Sequence, residues 1–540
     1  MGGGVISKII GAMGRGACVA AVVASVYTAQ AGVNVNNGNF FISYTDLYVP
    51  TAGMPIDFTR TYNSRSNYVQ GYFGVGWSSE VEGYLKINKN SISFYEGGGG
   101  NIVNFEPVKA GLWKSTTFGP QQIQKNGETY VLRTGQGKEL QFNARGKLSK
   151  ITDMNKNAID FVYDSTGRLN LVKDNFNNQI RLTWKDFGKF PRIVAVEGAS
   201  AKARFEYNSF GDLTKAIGAD GIPFSYSYDD EHNMTKIGYT DGTTKELGYN
   251  KLKDWVTKFQ DRDKSVTTYN YFSDTLDPEN KFGTVVSRQM AGSKEKDSNR
   301  FWYEFKKRPD GSKYNSRSVT WIRGTTTETI FTECCGTPQA ISQWSASEPS
   351  LSDSRQSWTL ASGKKQTTLF EYHADGLLKK KTLPDGSFTQ LAYDQKFKKV
   401  SSVTQNDRTI EYKYDPRGNL ASAYDKYDNR KLDLTYDVSG RLTKVREAYF
   451  VGSNSQWRDV FFRYDGQGNP IEIKEKSQAG SEGIIRLSYS NSGEVTSVTN
   501  GKGRAISSES EVISARQVAA TFQNLLDIIR PAGVTLTPEG

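Results

Sequence analysis

The sequence predicts an all-β fold, a long antiparallel sheet of repeated β-hairpins that spirals into an open or short shell, plus one C-terminal α-helix. A tyrosine–acid pair with a following glycine returns about every 21 residues. A second turn signal follows each aromatic about 13 residues on. The composition, with 52 glycines and 29 tyrosines against 6 methionines, is that of turn-rich β structure. A sustained period in this range marks a repeat architecture.

The plainest copies are Tyr163-Asp164-Ser165-Thr166-Gly167-Arg168-Leu169, Tyr414-Asp415-Pro416-Arg417-Gly418-Asn419-Leu420 and Tyr436-Asp437-Val438-Ser439-Gly440-Arg441-Leu442. Weaker copies begin at Tyr207, Tyr228, Tyr249, Tyr372, Tyr393, Tyr464 and Tyr489, with Phe142 and Trp184 at further repeat positions. Successive starts lie 21 to 23 residues apart from Phe142 to Tyr249, and 21 to 28 apart from Tyr372 to Tyr489. The second signal reads Asp220-Gly221, Asp241-Gly242, Asp385-Gly386, Asn177-Asn178, Asn406-Asp407 and similar pairs. Asp and Asn accept hydrogen bonds from backbone further on, and Gly reaches positive φ without a clash. Such dipeptides between short alternating runs specify hairpins.

Each period therefore holds two turns and two short strands, such as 168–173 and 179–184, or a closing strand at 388–393. In Ile180-Arg181-Leu182-Thr183-Trp184 apolar and polar residues alternate, as in a half-buried strand. The repeat tyrosine ends its strand and packs its ring on a neighbouring hairpin; the Asp opens the turn and the Gly completes it. The motif reads as turn chemistry and packing, not as a catalytic dyad.

Hydrophobic residues make up 36% of the chain, below the usual globular share, and aromatics at 12% supply large buried area instead. The first 31 residues read as a signal peptide: Lys8 and Arg15, a short apolar run over 17–27, and the small-x-small site Ala29-Gln30-Ala31. Export is the expectation, with a retained anchor as the alternative; no later apolar run is long enough to span a bilayer. Removing 1–31 takes away two positive charges and lowers the net charge from +11 to +9. The lysines lie scattered among carboxylates, which describes a solvated sheet face. Attraction to an anionic glycan or envelope surface is the sharper alternative. Nucleic-acid binding wants clustered basic residues and a recognisable module, and neither is present. Cys334 and Cys335 are adjacent, so they close no useful loop and supply too few ligands for a structural zinc.

The Tyr-Asp-x-x-Gly-Arg-Leu units resemble the YD repeats of bacterial Rhs proteins, toxin-complex shell proteins and teneurins. Asn37-Gly38-Asn39-Phe40, Tyr44-Thr45-Asp46-Leu47, Arg60-Thr61-Tyr62-Asn63-Ser64-Arg65 and Phe73-Gly74-Val75-Gly76-Trp77-Ser78 resemble the domain that precedes those repeats in Rhs proteins. The resemblance covers roughly residues 34–500. It implies hairpins joined side by side into a sheet that, in relatives, forms a hollow shell around a C-terminal toxin. The Arg-Tyr-Tyr-Asp-Pro-type motif that closes such shells has no copy here, and no toxin-sized region follows Tyr489, so self-cleavage and an attached toxin are not carried over. The expected organisation is a signal peptide at 1–31, an Rhs-type N-terminal β domain at 32–135, and YD repeats at 136–272. Diverged repeats or an insertion follow at 273–370, then YD repeats at 371–500 and a helix and tail at 501–540. Within 273–370 the phase is poor, although Phe331-Thr332-Glu333-Cys334-Cys335-Gly336-Thr337-Pro338 resembles a variant seen in some YD proteins. The helix rests on a capping box at Ser508-Glu509-Ser510-Glu511 and the stripe Val518, Phe522, Leu525, Leu526 and Ile529, stopped by Pro531. It reads as a cap on the sheet, or as a docking helix.

No catalytic, cofactor-binding or metal-binding residue is expected. His232 and His373, the only histidines, both fall on repeat turns. Glu96-Gly97-Gly98-Gly99-Gly100 reads as a hairpin tip, not a phosphate cradle. The aspartates are accounted for by turns. Trp255, Trp321 and Trp344 could stack on sugars, with core packing as the plainer reading. The expected function is an exported, non-enzymatic scaffold in cell-surface or extracellular interaction, binding an envelope polysaccharide or a surface protein. A shell component for a separately encoded toxin is the alternative, and a glycan-active enzyme the least supported. Unpaired sheet edges make self-association a further expectation.

Overall fold

The computed structural model describes residues 30–503, apart from 67–69, 99–100, 116–120, 135–136, 309–310, 334–335, 348–363, 452–453, 481 and 490–494. Residues 1–29 of the signal-like segment, the cysteine pair and the C-terminal helix expected above lie outside the described residues, while Gln30 and Ala31 at the expected end of the signal-like segment pair with Ser43 and Ile42. From Tyr84–Ile87 to Val495–Asn500 the chain runs as one antiparallel sheet of 36 strands, each paired with its neighbours in sequence. Among the described residues these two end strands share no ladder, so the sheet is not a closed ring. It is strongly curled: Tyr84 bridges to Lys147, and the Leu85 N–H donates to the Gly146 carbonyl at 2.8 Å. A separate four-stranded sheet of Gln30–Asn34, Asn39–Val49, Ile56–Asn63 and Trp77–Ser79 precedes it. The expected all-β class, long hairpin sheet and open outline are what the structure has.

The strands fall where the alternation places them, at Leu169–Asp174, Gln179–Phe187 and Phe388–Tyr393. Hairpin turns leave by the two rims of the sheet in alternation. On one rim the Tyr-Asp turns repeat a fixed set of bonds. Asp164 Oδ1 accepts the N–H groups of Thr166 and Arg168 at 2.9 and 3.0 Å, and Gly167 takes φ +83°. Asp415 does the same for Arg417 and Asn419, and Asp437 for Ser439 and Arg441.

The repeat aromatic does more than pack. Its polar hydrogen reaches across the open end of its own hairpin to the carbonyl that starts the first strand. Tyr163 bonds Leu148 O at 2.8 Å, Tyr228 bonds Leu213 O at 2.8 Å, Tyr393 bonds Leu378 O at 2.7 Å and Tyr436 bonds Leu420 O at 2.9 Å. Trp184 makes the same bond through its indole N–H, to Leu169 O at 2.7 Å. Tyr207, Tyr249, Tyr271, Tyr372, Tyr414, Tyr464 and Tyr489 repeat it. Burial raises these hydroxyls, to about 12 for Tyr393, Tyr436 and Tyr489, so they stay protonated donors at neutral pH.

A β-bulge marks the same position, with the register shifting at Tyr163, Trp184, Tyr207 and on through Tyr489, Tyr271 excepted. It also occurs at Phe305 and Phe331, inside the stretch whose phase is poor in sequence. Strands Lys281–Gln289, Lys296–Lys307, Lys313–Ile322, Thr325–Phe331 and Pro338–Ser345 continue the same ladder there. Phenylalanine holds the aromatic position without a hydroxyl to donate.

Distant parts of the sheet meet rim to rim. Asn155 and Asn419 exchange amide hydrogen bonds at 3.1 and 2.8 Å, and Asn157 Nδ2 donates to the Ser439 carbonyl at 2.7 Å. The turn at 153–157 thus sits on the Tyr-Asp turns at 415–419 and 437–441.

Tyr436→Phe removes one hairpin-closing bond and keeps the ring, at a cost of about 1 kcal/mol. Amide exchange in strands Leu420–Asp425 and Arg430–Tyr436 is expected to speed up roughly 5-fold, with strand Ala158–Tyr163 unaffected. Unchanged exchange would show that the hydroxyl does not hold the hairpin closed.

Candidate functional site

The small sheet lies against one face of the long one, and their seam is the most elaborately built part of the molecule. Its contacts come from the N-terminal motif residues. Phe40 stacks near Phe259 with ring centroids 6.1 Å apart, Tyr44 meets Phe224 at 4.8 Å, and Phe73 meets Phe205 edge-on at 4.9 Å. Trp77 packs on Tyr226 and donates its indole N–H to Tyr228 Oη at 2.8 Å. Tyr62 Oη accepts the Met234 N–H at 2.8 Å. Gly74, at φ +110°, is needed where this segment crosses the turn at 208–212, since a Cβ there would stand 2.9 Å from the Gly211 carbonyl.

At the centre of the seam is a buried charge pair. Arg60 Nε bonds Asp46 Oδ2 at 2.7 Å, and Arg60 Nη2 bonds Tyr226 Oη at 3.0 Å. The guanidinium lies over Trp77 and Tyr44, 4.5 and 4.6 Å from the ring centroids. Burial pushes the Asp46 carboxyl up to about 6, against the opposing pull of Arg60. Both charges are out of water, so each depends on the other.

At one end of the seam opens a cavity of about 590 Å³. Trp255, Tyr271, Phe272, Phe282 and Phe305 line it, none of them fully buried. Its polar lip carries Asn36 and Asn37 from the tip of the first hairpin, and Lys253, Glu279 and Lys313 from the Tyr-Asp rim. The first hairpin is fixed against this rim by the Val256 N–H, which donates to the Gly38 carbonyl at 3.0 Å. Lys313 Nζ stands 3.8 Å from Glu279, and Lys253 Nζ lies 4.7 Å from the centroid of Trp255. A smaller hollow of about 220 Å³ lies on the other side of the same hairpin, between Phe40, Phe259 and Tyr269. Aromatic walls with a few placed polar groups, at a junction between two structural units, are the usual make-up of a ligand pocket.

Of the three tryptophans raised from sequence, only Trp255 faces this cavity. Trp321 is buried with its N–H on the Ala346 carbonyl at 3.0 Å, and Trp344 is buried too. His232 Nδ1 is 2.9 Å from Asp212 Oδ1 on a turn with φ +65°, and His373 Nε2 is 3.5 Å from the Leu391 carbonyl. Neither ring bonds a hydroxyl or thiol among the described residues. No three His, Cys, Asp or Glu side chains converge as metal ligands among the described residues. The glycine run begins at the tip of the paired strands Ile92–Tyr95 and Ile102–Lys109. No described helix is long and apolar enough to cross a membrane.

Residues 203–244, four hairpin strands with the Tyr207 and Tyr228 closures, match the family profile described as RHS Repeat. The chain carries Rhs/YD repeats. Residues 30–105 match a domain of unknown function (DUF6531), which takes in the whole N-terminal sheet and the first strands of the long one. Two curated relatives are the tRNA nuclease WapA of Bacillus subtilis (strain 168) and the tRNA(Glu)-specific nuclease WapA of Bacillus subtilis subsp. natto (strain BEST195). Each is 22% identical over 282 residues, covering 44% of this chain and 12% of the relative. The chain therefore spans about an eighth of the length of these relatives. Among solved structures, TcdB2-TccC3 without its hypervariable C-terminal region aligns at 11% identity, over 89% of this chain and 28% of that one, with a TM-score of 0.45. TcdB2-TccC3-Cdc42 aligns at 11% identity over 86% and 27%, with a TM-score of 0.44.

Arg60→Met strands the Asp46 carboxylate in the seam and is expected to destabilise the docked sheet by about 3–5 kcal/mol, read from urea unfolding. The pH dependence has a definite sign. A carboxyl raised from 3.8 to about 6 on folding favours the folded state most below pH 3.8, and that contribution is lost as pH rises through 6. Asp46→Asn should abolish this fall, visible as a difference in melting temperature that changes between pH 4 and 7. A constant difference would place the titration elsewhere.

Proposed function

We propose that this chain is exported and acts as a non-enzymatic scaffold in cell-surface or extracellular interaction, holding a glycan or protein partner. The observation that carries this reading is the preformed aromatic cavity at the seam, held open by two sheets that are locked together by the bonds of Arg60 to Tyr226 and of Trp77 to Tyr228. A rigid sheet that presents such a pocket at its rim suits recognition, because its walls need little reordering on binding. The signal-like residues at 1–31 and the net positive charge are in keeping with a role at an anionic envelope.

A second reading has its own observation. The sheet curls until Tyr84 meets Lys147, and later turns seat on the turn at 153–157, which is how the wall of a container is built. In that role the chain would enclose or carry a separately encoded toxin.

Incubating the purified full-length chain with intact bacterial cells and with isolated envelope polysaccharide tests the first reading. Saturable binding that weakens as salt is raised from 20 to 500 mM is expected. Absence of binding at the lowest salt overturns it. Negative-stain images of the same preparation test the second: a hollow particle with a co-purifying small protein supports it, and a solid or flat particle overturns it.

A further inference from the structure

We infer that the cavity at the end of the seam binds an acidic saccharide, with the ring faces of the sugar against its aromatic walls and a sugar carboxylate on Lys253. The inference rests on the reading of the chain as an interaction scaffold and names the ligand class of its site. Three features lead to it. The cavity's volume of about 590 Å³ lies within the roughly 300–1,000 Å³ typical of small-ligand sites, enough for a short oligosaccharide segment.

Its chemistry then selects among ligands. The apolar part of the wall is made of aromatic rings and Pro278, with no Leu, Ile, Val or Met among the lining residues. A groove for an acyl chain or an amphipathic helix would be lined by aliphatic side chains. Flat aromatic faces instead match the flat C–H faces of pyranose rings, which need amides and charged groups alongside for their hydroxyls. Asn36 supplies such a group: its side-chain amide forms no hydrogen bond among the described residues, while its backbone N–H is held by Asn34 Oδ1 at 2.9 Å. The lip is thus fixed and its amide is unspent.

Charge decides between neutral and acidic sugars. Of the two lysines in the lining, Lys313 is compensated, with Nζ 3.8 Å from Glu279 Oε2. The other, Lys253, has no carboxylate within ion-pair distance among the described residues. Its ammonium rests over the Trp255 ring, 4.7 Å from the centroid, which orders the cation beside the aromatic wall without neutralising it. Arg65 adds to the positive field there, its guanidinium 5.9 Å from the centroid of the same ring and bonded to the Lys253 carbonyl at 2.7 Å. Oriented, uncompensated cations next to aromatic faces and a free amide call for a carboxylate carried on a sugar ring.

Isothermal titration of the full-length chain with a tetragalacturonate, and with maltotetraose as the neutral probe, tests the assignment. At 50 mM salt the acidic tetrasaccharide is expected to bind at least ~10-fold more tightly, the preference shrinking as salt screens it. Lys253→Gln should abolish the preference, and Asn36→Ala should weaken both probes about 3-fold, as loss of one hydrogen bond would. Lys86→Gln, an exposed lysine on the strand Tyr84–Ile87, should change nothing. Equal affinity for the two probes, no binding of either, or acidic binding that survives Lys253→Gln overturns the proposal. Binding of Lys253→Gln to intact cells separates the two readings. If it equals wild type, this site is wrong and the scaffold reading stands. If the wild type itself fails on cells but binds the tetrasaccharide, the scaffold reading falls and the site stands.

Discussion

One hydrogen bond sets the form of this molecule: the aromatic donor that spans the open end of each hairpin. It fixes the distance between a carbonyl at the start of one strand and the aromatic side chain of the next, so each hairpin with a tyrosine or tryptophan at that position is closed at the Tyr-Asp rim whatever happens at the other. That asymmetry accounts for the uneven spacing of the repeats. Leu442 to Tyr464 spans 22 residues and Pro338 to Tyr372 spans 34, yet both pairs make the bond made by Tyr163 and Leu148 over 15. Extra residues are added at the opposite rim, in the hairpin's own turn, which the aromatic bond does not constrain. Stability in such an array is close to a sum of unit and neighbour terms, so the sheet tolerates an irregular member.

This logic also separates what was legible in the chain from what was not. Strand positions such as Gln179–Phe187 follow from alternation and turn chemistry, both local. The middle of the chain hides its phase because Phe305 and Phe331 keep the bulge but not the hydroxyl, and longer strands displace the turn signal. The reading of the tyrosine as a packing residue missed its hydroxyl bond, although the near-constant spacing back to a residue just after the preceding glycine was in view.

The seam was visible as motifs and invisible as a contact. Phe40, Tyr44, Arg60, Tyr62, Phe73 and Trp77 all stand in segments that mark the family, but their partners lie far along the chain: Arg60 is 166 residues from Tyr226 and Trp77 is 151 from Tyr228. The cavity is harder still, because its wall is assembled from residues 36–37, 253–282 and 305–313. Trp255, Trp321 and Trp344 look alike in sequence; only the placement of the first hairpin against the rim leaves the first of them half-open.

The rim contact between Asn155 and Asn419 joins residues 264 apart, in a sheet whose ladders are otherwise made between sequence neighbours. It sets an order of folding. Hairpins can zip up one after another as each is completed, with small loop-closure cost, whereas this clasp waits for more than half the chain. A chain delivered N-terminus first would hold a finished early coil, with its upper rim bare, until the later turns arrive to cover it. That interval is when an exposed rim is open to the wrong partner, and the polar amides placed there, which pair well with water in the meantime, make the wait a safe one.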